Sequence, residues 1–398
     1  MSSDVIVTAP SVARLVPRNR VLPSLAVIAA VAAGTGGFLG MAPNRLVTGT
    51  PVPLRAAVGA PFTAALAVAA ALLFALGYAP ARRGMHYLAA AISGATLAAV
   101  VAAAGSAAAM LAIGALPAVD ISLGSAFWVA FACSSLALID SLQRAEAGPP
   151  VQLAVVAIAA ALFFVAARAG VFDALALARE YASRRDSFDA AVVRHIELVA
   201  AALLPALVIG VPLGIAALRH QRFETPLFVI LNLLQTVPSI ALFGLLIAPL
   251  SGLANAVPAL AALGVGGVGP APAIIALIVY ALLPIARNTL AGIAGVPPGA
   301  IDAAYGMGMT KRQVFWQVEV PLALPVLLAG LRIVTVQTIG LTVVAALIGA
   351  GGLGSFVFQG LGQYATDLVL LGALPAIAMA LAADFLLRLA ARLRGLAR

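Results

Sequence analysis

The chain has 398 residues, 63% of them hydrophobic and 9% charged, with a mean hydropathy of +1.12 and a formal net charge of +9. Water-soluble domains carry roughly 25% charged residues and about 45–50% apolar ones, so this chain has too little polar surface to cover itself and lipid must do so. The positive charge does not point to nucleic acid, because the basic residues sit in short clusters between apolar runs. The single cysteine, Cys133, excludes an intrachain disulfide and a cysteine metal cluster, and reads as a buried structural thiol.

A bilayer core of about 30 Å needs roughly 20 apolar residues in a helix, and the chain offers about ten such runs. They fall near 21–41, 59–79, 87–114, 122–142, 151–170, 192–217, 226–249, 271–289, 322–347 and 367–390. Open strands are excluded, since lipid leaves unpaired backbone groups unsatisfied. The N-terminus is basic and then apolar, like a signal peptide, but the run is too long for a signal core and reads as a retained first span. Residues 1–170 form an alanine-rich block of about five spans. Within it GGFLG (Gly36–Gly40), like GVPLG (Gly210–Gly214) later, fits the small-residue pattern for close helix packing. Residues 171–191 interleave acids with bases and read as an amphipathic segment.

Composition shifts after that segment, and the spans of 192–398 carry prolines, glutamine, asparagine and threonine. Asn232, Gln235, Thr236 and Ser239 are spaced to share one helical face, on a run interrupted by Pro238. Polar groups inside a membrane are costly. This stripe, and Gln337, Thr338 and Thr342 further on, either wall a translocation path or hydrogen-bond neighbouring helices; the sequence leaves both readings open. Asp140 and Asp384 fall near the inner ends of their runs and read as snorkelling to the interface, and Arg332 reads as close to the inner interface too. His86, His195 and His220 lack metal-ligand spacing and read as interfacial residues.

Between two apolar runs lies a polar island, GAIDAAYGMGMTKRQVFWQVEVPLALP (Gly299–Pro325). Pro297-Pro298 stops the preceding span and suits a new helix start. Gly299–Tyr305 gives about two turns. Gly306 and Gly308 allow a bend, and Thr310 with Gln313 makes a capping-box pattern for a second short helix. Small Ala303 and Ala304 suit close approach of another protein, and Lys311 and Arg312 suit acidic groups on it. Further on, GAGGLG (Gly349–Gly354) matches a dinucleotide fingerprint, but it closes a membrane span rather than following a strand. A flexible or tightly packed gate loop is the expectation there. No Walker A sequence is present, so ATP hydrolysis by the P-loop route is excluded.

The island, with LNLLQTVPSIALFGLL (Leu231–Leu246) and AALIGAGGLGSFVFQGL (Ala345–Leu361), resembles permeases of ATP-binding-cassette (ABC) importers, in particular the glycine betaine/carnitine/choline group. The resemblance covers residues 190–390. It implies an all-α integral membrane protein with a type I importer, MetI-like core over 192–398. It also implies an "EAA" coupling loop at 298–321, in which Asp302, Ala303, Ala304, Gly308, Lys311, Arg312, Val318 and Pro321 meet a separate ATPase. Asp302 stands where the family usually has glutamate, and shorter family members lack the N-terminal block, whose role is open, sensing of osmolarity or lipid included. The implied partners are ABC ATPase subunits, a second permease (identical or paralogous), an extracytoplasmic solute-binding protein and membrane lipid. This chain is expected to bind no cofactor, ATP and Mg residing on the ATPase. The implied cargo is a quaternary ammonium osmoprotectant. With only 6% aromatic residues for a cation cage, selectivity is expected in the binding protein. The alternatives are an ABC permease for another small solute, such as an amino acid or sulfonate, and an ion-coupled secondary transporter. The latter has few candidate intramembrane sites here.

A cytoplasmic island places most of the 23 basic residues inside: Arg14, Arg18, Arg20, Arg82, Arg83, Arg144, Arg219, Arg222, Arg287, Lys311, Arg312, Arg388, Arg392, Arg394 and Arg398. Outside fall Arg45, Arg55, Arg168, Arg179, Arg184, Arg185 and Arg194, with Arg332 inside a span. This agrees with the positive-inside rule and predicts a multi-pass protein of the bacterial inner membrane with both termini cytoplasmic. Segment 171–191 is then extracytoplasmic, and Gly349, Gly351, Gly352 and Gly354 belong to an outer gate loop.

Overall fold

The structure, a computed structural model, describes residues 17–393 apart from 45, 46, 48, 115 and 117. Arg14, Arg45, Arg394 and Arg398, and with them both termini, lie outside the described residues. The described chain packs into two units, one up to Arg179 and one from Glu180 onward.

The first unit opens with α1 (Val21–Thr35), β1 (Gly37–Ala42), β2 (Thr50–Pro53) and α2 (Leu54–Leu76). It continues with α3 (Arg83–Ala112), β3 (Asp120–Leu123), α4 (Ser125–Arg144) and α5 (Pro149–Arg168), and the division between units falls within α6 (Ala176–Ser183). The expected first span, 21–41, is not one helix. Glycine weakens a helix interior, and after Thr35 the glycines of GGFLG turn the chain into β1. That strand is the centre of a three-stranded antiparallel sheet of order β2-β1-β3. The expectation that GGFLG packs helix on helix is thereby corrected. A side chain at Gly36 would meet Ser125 Oγ, and one at Gly37 would meet Pro51, each at 2.7 Å. Phe38 and Leu39 of β1 are buried with Val100, Ala104, Ile121 and Phe127, and Phe38 meets Phe127 edge to face at 6.0 Å. Buried Asn19 ties the opposite end together. Its backbone N–H donates to Gly77 O at 2.9 Å, and its Nδ2 donates to Asp140 at 2.7 Å. No residue of α5 is buried.

The second unit holds α7 (Arg185–Arg219), α8 (Gln221–Thr236), α9 (Ser239–Ala256), α10 (Pro258–Ala262) and α11 (Pro270–Ala294). Then come α12 (Pro298–Gly306) and α13 (Lys311–Val314), and a π turn (Phe315–Glu319) that runs into α14 (Val320–Val344). A 3-10 turn (Ala345–Ile348), α15 (Gly354–Gly362) and α16 (Thr366–Leu393) complete it. The run 226–249 splits, because Pro238 offers no N–H and holds Val237 extended (ψ 126°). Among the described residues nine stretches are long and apolar enough to cross a membrane, Lys311–Ile348 counting as one and α1 being shorter. The fold is therefore largely helical, with the small sheet as its one departure from all-α among the described residues.

Helix α11 is the core of this unit. Ala273, Ala276, Ala281 and Ala286 are all buried between its neighbours. Lipid is as apolar as leucine, so helices associate here through close contact and hydrogen bonding. GVPLG supplies the contact as expected: a Cβ at Gly210 would lie 2.8 Å from Ile285, and one at Gly214 would lie 2.5 Å from Ala286 O. The segment expected to be amphipathic, 171–191, is a turn, α6 and the first turns of α7, with Arg184 paired to Glu180 at 3.1 Å.

Candidate functional site

The island folds from its own punctuation. Helix α12 starts with Pro298 in its first turn and ends where Gly308 takes φ +81°, a left-handed elbow that glycine adopts without strain. The capping box then starts α13: Gln313 N–H donates to Thr310 Oγ1 at 3.4 Å and Thr310 N–H to Gln313 Oε1 at 2.8 Å. Ile301 and Phe315 pack on Ile293, Val296 and Ala323, which seats the island on the ends of α11 and α14. Ala304 and Val314 are buried. Ala304 therefore faces its own chain and cannot offer the small surface expected of it. The reason is the helical period, which turns Ala304 toward the same side as Ile301. Asp302, Ala303, Gly308, Lys311, Arg312 and Pro321 are exposed, and Val318 is half-buried.

Three large apolar residues share the exposed side: Tyr305, Met307 (76% exposed) and Trp316 (60%). Sequence reasoning passed over them, although aromatic and methionine side chains in a polar loop were the available signal. It also passed over Glu319. This carboxylate is 5% exposed, and Arg219 at the end of α7 donates to it at 2.5 Å while lying 6.0 Å from the Phe315 ring. The island is thus clamped to α7 by an ion pair and runs without interruption through the π turn into α14.

Of the residues expected to line a pathway, Asn232, Gln235 and Gln337 come together. With Glu224, Arg287 and Asn288 they line a groove of about 750 Å³ between α8, α11 and α14. Arg287 reaches Asn232 Oδ1 at 3.3 Å and stacks 5.5 Å over Phe228. The other four are elsewhere, and for Ser239 the reason is the break at Pro238, which ends the shared face. Thr236 is exposed and donates to Leu233 O at 2.7 Å, and Ser239 belongs to α9. Thr338 and Thr342 are buried, with Thr342 donating to Thr338 O at 2.7 Å. Gln235 also has structural work. Pro284 leaves Tyr280 C=O without its helical donor, and Gln235 Nε2 supplies one at 2.8 Å. In return the Tyr280 hydroxyl donates to Val237 C=O at the break.

The glycine loop is tightly packed. Gly349, Gly351 and Gly352 have φ of +78°, +84° and +78°. A Cβ at Gly354 would lie 1.9 Å from Val343 O, and one at Gly352 would lie 3.3 Å from the His195 ring. Arg194 Nε donates to Ala350 O at 3.2 Å. His195 is fully buried, its Nε2 3.2 Å from Ile339 O, which corrects the interfacial reading of this residue. Asp140 and Asp384 are also engaged rather than reaching singly for water. Asp140 pairs with Arg144 at 2.9 Å; Asp384 takes Arg332 at 3.1 Å and Arg388 at 2.8 Å. Among the described residues no cluster of three His, Cys, Asp or Glu is placed to hold a metal ion.

Comparison with known proteins gives two family matches that divide the chain. Residues 206–394 match "Binding-protein-dependent transport system inner membrane component", and residues 17–178 match "ABC transporter permease YehY, N-terminal domain". Similar curated proteins include "Osmoprotectant import permease protein OsmW" of Salmonella typhimurium, 42% identical over 49% of this chain and 85% of that one. "Carnitine transport permease protein OpuCB" of Listeria monocytogenes is 40% identical over 49% and 82%. "Glycine betaine/carnitine/choline transport system permease protein OpuCB" of Bacillus subtilis is 36% identical over 50% and 84%. Among solved structures, the MetNI methionine ABC transporter in an inward-facing conformation aligns at 23% identity and a TM-score of 0.44. It covers 54% of this chain and 99% of that one, too loose a likeness to carry an inference.

Proposed function

The chain belongs to the family of binding-protein-dependent transport system inner membrane components, and from that premise we propose that it is the permease of an ATP-driven importer of quaternary ammonium osmoprotectants. It is a multi-pass transmembrane subunit and not itself an ATPase. The observation that carries the reading is the island: a capped, outward-facing pair of short helices clamped to α7 and continuous with α14.

In this reading a separate ATPase docks on Asp302, Ala303, Tyr305, Met307, Lys311, Arg312 and Trp316. ATP and Mg reside on that subunit, and this chain binds no cofactor. ATP binding draws the ATPase subunits together, and the island carries the displacement to α7 through Arg219–Glu319 and to α14 through the π turn. This is a two-state element biased by a distant ligand. The island faces the cytoplasm, Gly349–Gly354 lies toward the outside, and two permeases enclose the pathway, each contributing the groove of Asn232, Gln235 and Gln337. An extracytoplasmic binding protein selects the solute. The names of the relatives, which specify osmoprotectants, carnitine, choline and glycine betaine, support the cargo class.

The test is a gentle-detergent pull-down of the tagged chain, followed by uptake in proteoliposomes with its binding protein. A co-purifying P-loop ATPase, lost on Asp302→Lys while the permease still inserts, is the expected result, as is ATP-dependent uptake of labelled glycine betaine, choline or carnitine. A complex without any ATPase, or uptake driven by an ion gradient alone, would overturn the proposal.

A further inference from the structure

We propose that the N-terminal unit binds a single-chain anionic amphiphile of the fatty-acid class, with its carboxylate at Arg55 and its alkyl chain in a slot between α1, α2 and α4. The slot holds about 440 Å³ and runs along α1 from Leu22 to Gly34. Those thirteen residues rise about 18 Å. A slot of that length suits an extended alkyl chain. The walls are mostly aliphatic, including Ala30 and Ala33 of α1 and Ala67 and Ala70 of α2, with Thr63, Thr96 and Ser134 as the uncharged polar side chains among them. The slot opens at the surface between α1 and α2, where Ala30, Gly34 and Ala67 are exposed, and in a bilayer an apolar crevice is filled by an apolar chain rather than by water. An apolar chain is therefore the occupant that fits.

The local backbone explains why the slot is open. α2 is bent where Gly59 takes φ +78° and ψ 167° just before Pro61, so the helix cannot run straight along α1. Thr63 Oγ1 donates to Gly59 O at 2.8 Å across the bend, and thus satisfies part of the disrupted backbone. The charge of the ligand follows from the mouth. Arg55, on the first turn of α2, is the only charged residue in the lining among the described residues. It is exposed and has no ion-pair partner among the described residues. A guanidinium at the end of an aliphatic bore matches a carboxylate head on an alkyl tail.

The chain carries its own reporter, because Cys133 is its single cysteine and lines the slot. The full chain in nanodiscs is treated with methyl methanethiosulfonate and followed by intact mass, with and without dodecanoate. Dodecanoate should slow modification of Cys133 by about fivefold or more, and dodecyltrimethylammonium, with the same tail and the opposite charge, should not. Arg55→Gln should raise the half-protecting concentration roughly tenfold, the loss of one charge-assisted hydrogen bond. Equilibrium binding of radiolabelled dodecanoate, with empty nanodiscs as background, decides the matter if Cys133 proves unreactive. Saturable binding weakened by Arg55→Gln and abolished by Ala30→Phe supports the site. Equal protection by both amphiphiles, binding indifferent to Arg55→Gln, or no saturable binding would overturn it.

Discussion

A carboxylate held inside a membrane protein is tolerated only with a partner, and Glu319 has one in Arg219. Half of the Arg219 side chain is exposed, so water screens the pair from one side and the penalty for breaking it falls below that of a wholly buried pair. Arg219→Ala should therefore cost about 1–3 kcal/mol, and Arg219→Ala/Glu319→Ala should recover part of that. Thermal unfolding in detergent of both single variants and the double variant reads the coupling directly; additive losses would mean that the clamp contributes nothing. Glycines separate two other causes. Gly308 has φ +81° with nothing within 4 Å of a Cβ, so Gly308→Ala should cost about 1 kcal/mol through its backbone alone. Gly354→Ala puts its methyl 1.9 Å from Val343 O and should leave little folded protein. Recovery from membranes and the midpoint of unfolding compare them. The capping box was legible because both of its members lie within four residues of sequence. The burial of Glu319 and His195 was not, since their partners, Arg219 and Ile339, lie 100 and 144 residues away.

Prolines write the breaks between elements, but not how the freed backbone groups are satisfied. Pro238 was readable as an interruption. What the sequence hid was that Ser239 leaves the face of Asn232 and Gln235 once Val237 turns extended, and that Tyr280 closes the gap. Likewise the glycines after α1 were readable as small residues, while their pairing into a sheet depends on Thr50–Pro53 and Asp120–Leu123, far along the chain. The clasp at Pro238 makes a prediction with a built-in control. Gln235→Leu strands the Tyr280 carbonyl and should lower stability by about 1–2 kcal/mol. Pro284→Ala restores the N–H that a regular helix would offer that carbonyl, so the loss on Gln235→Leu should shrink in the Pro284→Ala background. Thermal unfolding of the four proteins decides it, and an undiminished loss would show that Gln235 acts on something other than this carbonyl.

Topology turns on elements that length alone misjudges. At fifteen residues α1 rises only about 22 Å, against a bilayer core of about 30 Å. Its first residues nevertheless lie level with the end of α2, through Asn19 and Gly77, and its last lie level with the start of α4, through Gly36 and Ser125. With β1 continuing beyond it, α1 spans whatever α2 and α4 span. Helices α8 and α9 pose the opposite problem, being two elements that make a single crossing. Gln235 of α8 bonds Tyr280 of α11, while Leu242 and Phe243 of α9 pack on Ala273 and Ala276, so both follow α11 in one direction. This fixes a parity. Ile113, after α3, and Tyr364, before α16, are 81% and 95% exposed and are separated by six crossings; Met307 lies five crossings from Ile113. In a Cys133→Ala background and on the proposed orientation, Ile113→Cys and Tyr364→Cys should react with a membrane-impermeant maleimide on intact spheroplasts. Met307→Cys should react only after permeabilisation. If α8 and α9 crossed separately, Ile113→Cys and Tyr364→Cys would fall on opposite sides. The island and Ile113 would then share a face, and the coupling surface would lie beyond reach of a cytoplasmic ATPase unless the first unit were inverted.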